Sequence, residues 1–234
     1  MNDTAGALQS SIGKKFLMAV SGIGLVVFVL MHMAGNLQMF IGQDAMNTYA
    51  VTLRKMPLLL WTARLGILLF FVIHIIDGIR LKLKNRAARP VAYVANNTVQ
   101  ASLASRTMMW TGIFILGFLI YHLLHFTLGV TDPSSFAANL PPDPAGRADV
   151  YTMVVLGFSN VFVSGLYISV MILLSFHLRH GASSFFQSLG WSEARWYKVT
   201  RRIGPIISFI IIAGFIAVPL GVLLNVIRLP EGGM

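Results

Sequence analysis

Residues 58–79 read LLLWTARLGILLFFVIHIIDGI, and this stretch decides the fold class. It is almost wholly apolar and reaches the ~20 residues with which a helix crosses a hydrocarbon layer about 30 Å thick. Four more stretches follow the same pattern. The sequence therefore predicts an all-α integral membrane protein with five transmembrane helices in a bundle. They form one domain over residues 1–234, with helices at 16–41, 58–83, 107–130, 150–180 and 203–227.

The composition supports a membrane protein. Of the residues, 56% are hydrophobic and only 11% are charged, whereas soluble domains carry about 25% charged residues. Cysteine is absent, which excludes disulfides, thiolate chemistry and cysteine-bound iron–sulfur clusters on this chain. Any iron–sulfur cluster that exchanges electrons with this protein would lie on another chain.

The net charge of +10 indicates membrane topology rather than nucleic-acid binding, because the basic residues lie between the apolar stretches. Four of the 18 Lys and Arg residues fall on one side of the predicted membrane: Arg54, Lys55, Arg147 and Arg228. Arg64 lies inside the second stretch, and the remaining 13 fall on the other side. The positive-inside rule then places the N-terminus in the cytoplasm and the C-terminus outside.

All six histidines lie in or at the end of apolar stretches, where ionisable residues are costly and often functional. His32 lies 17 residues after Lys15, which is about 25 Å along a helix. His122 lies 16 residues after Arg106, which is about 24 Å. Both helices run outward from the cytoplasm in the predicted topology. The two histidines are therefore expected at the same outer level.

The second and fourth helices run inward and carry a second pair. His74 precedes Arg80 by 6 residues, and His177 comes just before Arg179, so both are expected in the inner half of the membrane. Two histidines at one depth on different helices can form a bis-imidazole pair, the ligation of a low-spin haem b. Two such levels predict two haems and a path for electrons across the membrane.

Spacing alone leaves part of this scheme open. His125 follows His122 by three residues and His180 follows His177 by three, so each couple lies on nearly the same helical face. A proton relay built from histidines is an alternative to haem. A zinc site is disfavoured, because the sequence has no H-E-x-x-H motif, no cysteine and no cluster of inward carboxylates.

The motifs around these histidines resemble the cytochrome b membrane anchor of bacterial succinate dehydrogenases and fumarate reductases, in its single-chain, five-helix, dihaem form. The resemblance covers essentially the whole chain. Its most specific parts are M-H-M-A-G-N at 31–36, N-x-Y-A at 47–50, F-V-I-H-I-I-D-G-I at 71–79, T-G-I-F-I-L-G-F-L-I-Y-H at 111–122, F-H-L-R-H-G at 176–181 and L-G-W at 189–191.

The resemblance implies one iron ligand on each of the first four helices. The Thr-Gly start of the third helix places that ligand on His122, and the distance to the L-G-W motif places the fourth on His177. It pairs the first helix with the third and the second with the fourth, giving His32–His122 and His74–His177. One departure from some fumarate reductases is Ser175, which stands where they carry a glutamate used for proton movement.

The resemblance also implies partners and a location. A flavoprotein subunit would oxidise succinate or reduce fumarate, an iron–sulfur subunit would carry the electrons, and quinone would exchange them near the membrane. The chain would anchor the flavoprotein and iron–sulfur subunits to the bacterial cytoplasmic membrane, in contact with lipid and without nucleic acid. It would take part in electron transport, as in the tricarboxylic acid cycle, without catalysing succinate chemistry itself. We expect menaquinone as the quinone.

Further polar residues are candidates for the cofactor pockets. We expect Arg64 to form a salt bridge with a propionate of the outer haem, because a buried arginine needs an anion. Snorkelling of Arg64 to the interface is the alternative. Ser21 is the nearest substitute for a polar helix start at a propionate, and Arg179 and His180 could bind the inner propionates. Quinone candidates cluster after His32 and are Asn36, Gln38 and Asp44.

Several questions stay open from the sequence. These are the direction of turnover, the quinone type and site, the haem potentials, the roles of His125 and Asp77, and whether the complex forms a higher oligomer. The alternatives in function are a haem b membrane subunit of another quinone-linked dehydrogenase, a haem-free transporter and a bare structural anchor.

Overall fold

The computed structural model describes residues 10–88, 102–190 and 194–230. Arg89, which contributed to the topology prediction, and Trp191 of the L-G-W motif lie outside these residues. The described residues form helices and connecting segments, without a strand. The α-helices are α1 (Ser11–Asn36), α2 (Gln43–Arg54), α3 (Pro57–Ala87), α4 (Leu103–His122), α5 (Val150–Ser159), α6 (Val161–Ser188) and α7 (Ala194–Leu223).

Within the described residues, five helical segments are long and apolar enough to cross a membrane, which indicates a multi-pass membrane protein. In lipid every backbone N–H and C=O must be satisfied within the chain, and a long helix does this by itself. The five segments are Ile12–Phe40, Pro57–Ala87, Leu103–Thr127, Val161–Phe186 and Arg202–Leu223.

The predicted helix over 150–180 is wrong as a single element, because the structure divides it into α5 and α6. Asn160 between them adopts an extended backbone. Its side-chain oxygen accepts hydrogen bonds from the backbone N–H groups of Phe162, at 3.0 Å, and Val163, at 3.3 Å. Asn160 therefore starts a new helix as an N-cap, although no proline or glycine marks the break.

Helix α2 is an additional helix, not included among the five that the sequence predicts. It follows a short 3-10 turn at Leu37–Phe40, and Gly42 separates the two with φ of 126°, a conformation that favours glycine. Its sequence, QDAMNTYAVTLR, is mixed in polarity, and Met46 and Asn47 are its buried residues. Such a short helix depends on tertiary packing rather than on its own propensity.

The chain divides into two compact units, and each long helix contributes residues to both. The His74 unit comprises the described residues within Met1–Phe28, Ala63–Thr111 and Phe176–Ser208. The His32 unit comprises those within Val29–Thr62, Gly112–Ser175 and Phe209–Met234.

In the His74 unit, several glycines lie in close contact with residues of neighbouring helices. Gly24 lies against the ring of Phe70, where any added Cβ would overlap the ring. Gly78 lies opposite the end of Met18, and Gly204 packs on the backbone of Arg179. The absence of side chains at these glycines lets neighbouring helices approach closely.

Clustered apolar packing characterises the His32 unit. Its main cluster of buried apolar side chains joins residues from the 3-10 turn, α2, the loop after α4, α5, α6, α7 and the segment after α7. The buried members are Met39, Met46, Ala137, Val150, Tyr151, Met153, Val155, Phe158, Tyr167, Val218, Val222 and Ile227. A second cluster contains Val170, Met171 and Ile212.

Candidate functional site

The histidines of each predicted pair lie side by side. The ring centres of His32 and His122 are 5.8 Å apart with the planes at 77°. Those of His74 and His177 are 6.1 Å apart with the planes at 60°. Each pair lies within one unit. Helix α1 is thus paired with α4, and α3 with α6, as the depth argument predicts.

These separations suit two imidazoles that share one metal ion. Nitrogens at about 2.0 Å on opposite sides of an ion place the two ring centres about 6.4 Å apart. The observed 5.8 Å and 6.1 Å are close to that value. In the part of the chain that the structure describes, no three His, Asp or Glu side chains gather as a metal site. Among the described residues, the feature common to both places is therefore a pair of imidazoles.

His177 is held in one orientation by Thr111 of α4. The Thr111 hydroxyl lies 3.2 Å from Nδ1 of His177. Its single hydrogen is directed to the carbonyl oxygens of Thr107 and Met108 on its own helix, each at 3.1 Å. The hydroxyl oxygen is therefore available as acceptor for a His177 ring whose Nδ1 carries the hydrogen. This tautomer leaves the lone pair of Nε2 available for a metal ion.

His74 is held less firmly. Its Nδ1 is buried and makes no hydrogen bond of ordinary geometry, and the backbone of Met18 is the polar group nearby. Gly22 of α1 lies beside the ring, and a Cβ there would come to 3.4 Å from Cε1 of His74. A side chain larger than alanine at this position would therefore meet the imidazole.

Aromatic rings surround the His32–His122 pair. Phe215 lies 5.8 Å from His32 between ring centres. Phe118 stacks with His122 at 5.9 Å, and Phe126 and Tyr167 lie at 6.0 Å. Rings packed in this way exclude water, and they leave the imidazoles few polar groups to contact.

A turn of π-helix follows His122 directly, over Leu123–Thr127. Such turns occur often at functional sites. Here it carries His125, which is buried, stacks on Phe126 at 3.9 Å and contacts the Tyr167 hydroxyl through Nδ1 at 3.0 Å. Residue spacing did not distinguish His122 from His125. The structure does, since the ring beside His32 is that of His122.

The residues predicted at the propionates have varied surroundings. Ser21 is buried, and its hydroxyl donates to the carbonyl oxygen of Leu17 at 2.7 Å. Arg64 and Arg179 are exposed, and Nε2 of the half-buried His180 lies 3.3 Å from the Ser184 hydroxyl. Arg64 falls within the residue ranges of the His74 unit, although its predicted partner was the haem of the His32–His122 pair. Their contact with a propionate stays a prediction.

The residues predicted at the quinone lie around the start of α2. Asn36 ends α1, Gln38 lies in the 3-10 turn, and both are half-buried. Asp44 is exposed and forms an ion pair with Arg147 at 2.8 Å. Asp44 is therefore already engaged with a cation, and quinone binding by the three residues stays a prediction.

Sequence reasoning missed a buried polar network close to these residues. Asn47 is wholly buried. Its amide nitrogen donates to Asp143 and Asp149, both at 3.0 Å, and its oxygen accepts from the backbone N–H of Tyr151 at 3.0 Å. The network fastens the loop after α4 to α2. The N-x-Y-A motif at 47–50 was the one signal of its importance.

Arg147 completes this network. Its Nε donates to Asp143 at 2.7 Å, and its backbone N–H donates to the same carboxylate at 2.8 Å. Burial alone would raise the pKa of Asp143, but these hydrogen bonds, with those of Asn47, lower the pKa to about 2. Asp143 therefore stays ionised at any physiological pH.

Comparison with known proteins adds no identification: the chain matches no protein-family model, no curated protein and no solved structure.

Proposed function

We propose that the chain is the dihaem cytochrome b membrane anchor of a succinate dehydrogenase or fumarate reductase, and that it passes electrons between an iron–sulfur subunit and membrane quinone. The observation that carries this proposal is the presence of two histidine pairs, His32–His122 and His74–His177, each at a spacing that suits one shared metal ion. The motif resemblance supplies the kind of complex.

Each pair would provide the two axial ligands of one haem b, and the haem would supply a carrier of single electrons. The protein residues would orient the ligands and keep water away. Thr111 would hold His177 with Nε2 toward the iron. The rings around His122 would exclude water from the other level. Because two histidines would hold each iron, neither iron would bind oxygen.

The charge pattern supports a topology with the N-terminus in the cytoplasm, because 13 of the 18 Lys and Arg residues fall on the side of the N-terminus. In this topology the His74–His177 haem would face the cytoplasmic head, which consists of the flavoprotein and iron–sulfur subunits. The His32–His122 haem would lie toward the outer side of the bacterial cytoplasmic membrane.

Polar residues near each level are proposed for the remaining contacts. Ser21, Arg179 and His180 fall in the His74 unit and could bind the propionates of its haem. Arg64 has the charge to bind a propionate of the His32–His122 haem. Asn36 and Gln38 have amide groups that suit the carbonyl oxygens of menaquinone. Asp44 would handle its protons only on separating from Arg147.

Haem quantification of the purified chain, with a reduced-minus-oxidised spectrum, tests the proposal. We expect two haems b per polypeptide and a low-spin electron paramagnetic resonance (EPR) signal. A folded preparation without haem, made under conditions that load a known cytochrome b, would overturn the proposal and favour a haem-free transporter or scaffold.

A second experiment tests the kind of head. In membranes that contain the complete complex, succinate should reduce the haem absorbance and fumarate should reoxidise it. If formate or hydrogen reduces the haems and succinate does not, the chain belongs to another quinone-linked dehydrogenase.

A further inference from the structure

The hydroxyl of Tyr167 lies between two imidazoles. It is 3.0 Å from Nδ1 of His125 and 3.4 Å from Nδ1 of His122. The Tyr167 side chain is buried, with the rings of Phe118 at 4.8 Å and Phe158 at 5.0 Å. The hydroxyl is therefore enclosed by apolar rings and directed at two histidine nitrogens.

If His122 binds a metal through Nε2, one order of the hydrogens lets the phenol of Tyr167 both accept and donate. Nδ1 of His122 then carries a hydrogen and donates it to the Tyr167 oxygen. The single hydrogen of the phenol is left for Nδ1 of His125, which accepts it as a neutral imidazole. A directed chain results, from His122 through Tyr167 to His125.

The surrounding structure favours this chain. The π-turn after His122 places His125 against Tyr167. Gly157 of α5 makes room for it, because a Cβ there would come to 3.2 Å from Cε1 of His125 and 3.0 Å from Phe126. A side chain at position 157 would displace the terminal acceptor of the chain.

We propose that Tyr167 and His125 are positioning residues for the cofactor held by His32 and His122. Tyr167 accepts the Nδ1 hydrogen of His122, which fixes the tautomer and directs Nε2 toward His32. His125 accepts the hydrogen of Tyr167 and so keeps the phenol oxygen turned to His122. A hydrogen bond at Nδ1 makes the imidazole a stronger donor to the metal, which stabilises the oxidised state.

This inference rests on the proposed function, and it assigns a role to a histidine that is not a ligand. It also predicts that the two haems are tuned differently. At the other level the acceptor is the aliphatic hydroxyl of Thr111, anchored to its own helix. At the His32–His122 level the acceptor is a phenol that needs a second histidine.

Redox titration of the full chain, with the EPR spectrum of each oxidised haem, tests the proposal in the variant Tyr167→Phe. We expect two haems to remain, the reduction potential of the His32–His122 haem to rise, and its EPR g-values to shift. The other haem should be unchanged. Tyr121→Phe is the matched control: its ring lies 6.1 Å from that of Tyr167, and its hydroxyl bonds to neither histidine in the described structure.

A pair of variants at His125 keeps the test decisive if Tyr167→Phe loses haem. His125→Leu removes the acceptor of the phenol hydrogen and should raise the same potential. His125→Gln retains an acceptor, so its potential should lie close to the wild-type value. Unchanged potentials and g-values in a two-haem Tyr167→Phe protein, or identical behaviour of the two His125 variants, would overturn the inference. The proposed function would survive both results, because its own tests are the haem content of the wild-type chain and the reduction of the haems by succinate.

Discussion

The two units of the chain each contain one pair of neighbouring histidines, in different surroundings. In the His32 unit the histidines lie among aromatic rings, and both clusters of buried apolar side chains in the described residues belong to this unit. In the His74 unit Gly24, Gly78 and Gly204 make close contacts, and the Thr111 hydroxyl contacts His177. If both pairs bind haem as proposed, the two haems would have different potentials, because the hydrogen-bond partners of the imidazoles differ.

Loss of a ligand should have the largest effect. His32→Ala and His177→Ala each remove one imidazole from a different pair, so each chain should retain one haem of the two. The surviving haem should keep its wild-type potential, and it should be a different one in each variant. Haem quantification with redox titration checks this, and each variant is the control for the other. Loss of both haems from either variant would contradict the independence of the two pairs.

A bulky side chain beside His74 should cause the loss of one haem only. Gly22→Leu directs a side chain into the space where a Cβ would already lie 3.4 Å from the imidazole. We expect the His74–His177 haem to be largely lost and the other haem to remain. Gly66→Leu is the matched control, because nothing lies within 4 Å of a Cβ at that position. Equal haem content in the two variants would show that the space at Gly22 does not serve the cofactor.

The buried network around Asn47 should make the His32 unit sensitive to a single polar residue. Asn47→Leu leaves Asp143 and Asp149 without their amide donor and the N–H of Tyr151 without an acceptor. We expect a destabilisation of about 1–3 kcal/mol, measured by thermal unfolding in detergent and followed by loss of the His32–His122 haem. Asn139→Leu is the control, since that exposed side chain makes one hydrogen bond, to Pro133. Equal unfolding temperatures would refute this role.

The same network predicts how stability depends on pH. The pKa of Asp143 is lowered from 3.8 to about 2 in the folded chain. Its ionised form therefore contributes full stability above about pH 4, the unfolded value, and the contribution is lost as the pH falls toward 2. Unfolding midpoints between pH 5 and 2.5 should fall in the wild type and fall less steeply in Asp143→Asn. Parallel pH profiles of the two proteins would contradict the assignment.

Much of this architecture follows from the sequence because its signals are strong. A span of 20 apolar residues has one stable conformation in lipid. Counting residues from the basic flanks paired His32 with His122 and His74 with His177, and the structure brings those rings together. The pairing could be predicted because helical rise converts residue number into depth.

Other features depend on contacts between distant residues, which no local pattern reveals. Helix α2 is held by Asn47 through carboxylates 96 and 102 residues further along the chain. The break at Asn160 carries no proline or glycine signal, and the π-turn at Leu123–Thr127 interrupts a run of apolar residues without any change in composition. The different positions of the His122 and His125 side chains follow from that turn. Residue spacing therefore could not predict which of the two lies beside His32.

The smallest effect should come from the hydroxyl at the second level. Thr111→Val keeps the shape of the side chain and removes the acceptor of the Nδ1 hydrogen of His177. With a weaker hydrogen bond the imidazole donates less to the metal, so the potential of the His74–His177 haem should rise while the other stays constant. Thr111→Ser retains the hydroxyl and should restore the wild-type value, as redox titration of the three chains would show. Because Tyr167→Phe should shift only the other haem, the two substitutions together test whether each redox centre is tuned from within its own unit. A shift of both potentials by either substitution would mean that tuning is shared, and the distinction between the units would then describe packing alone.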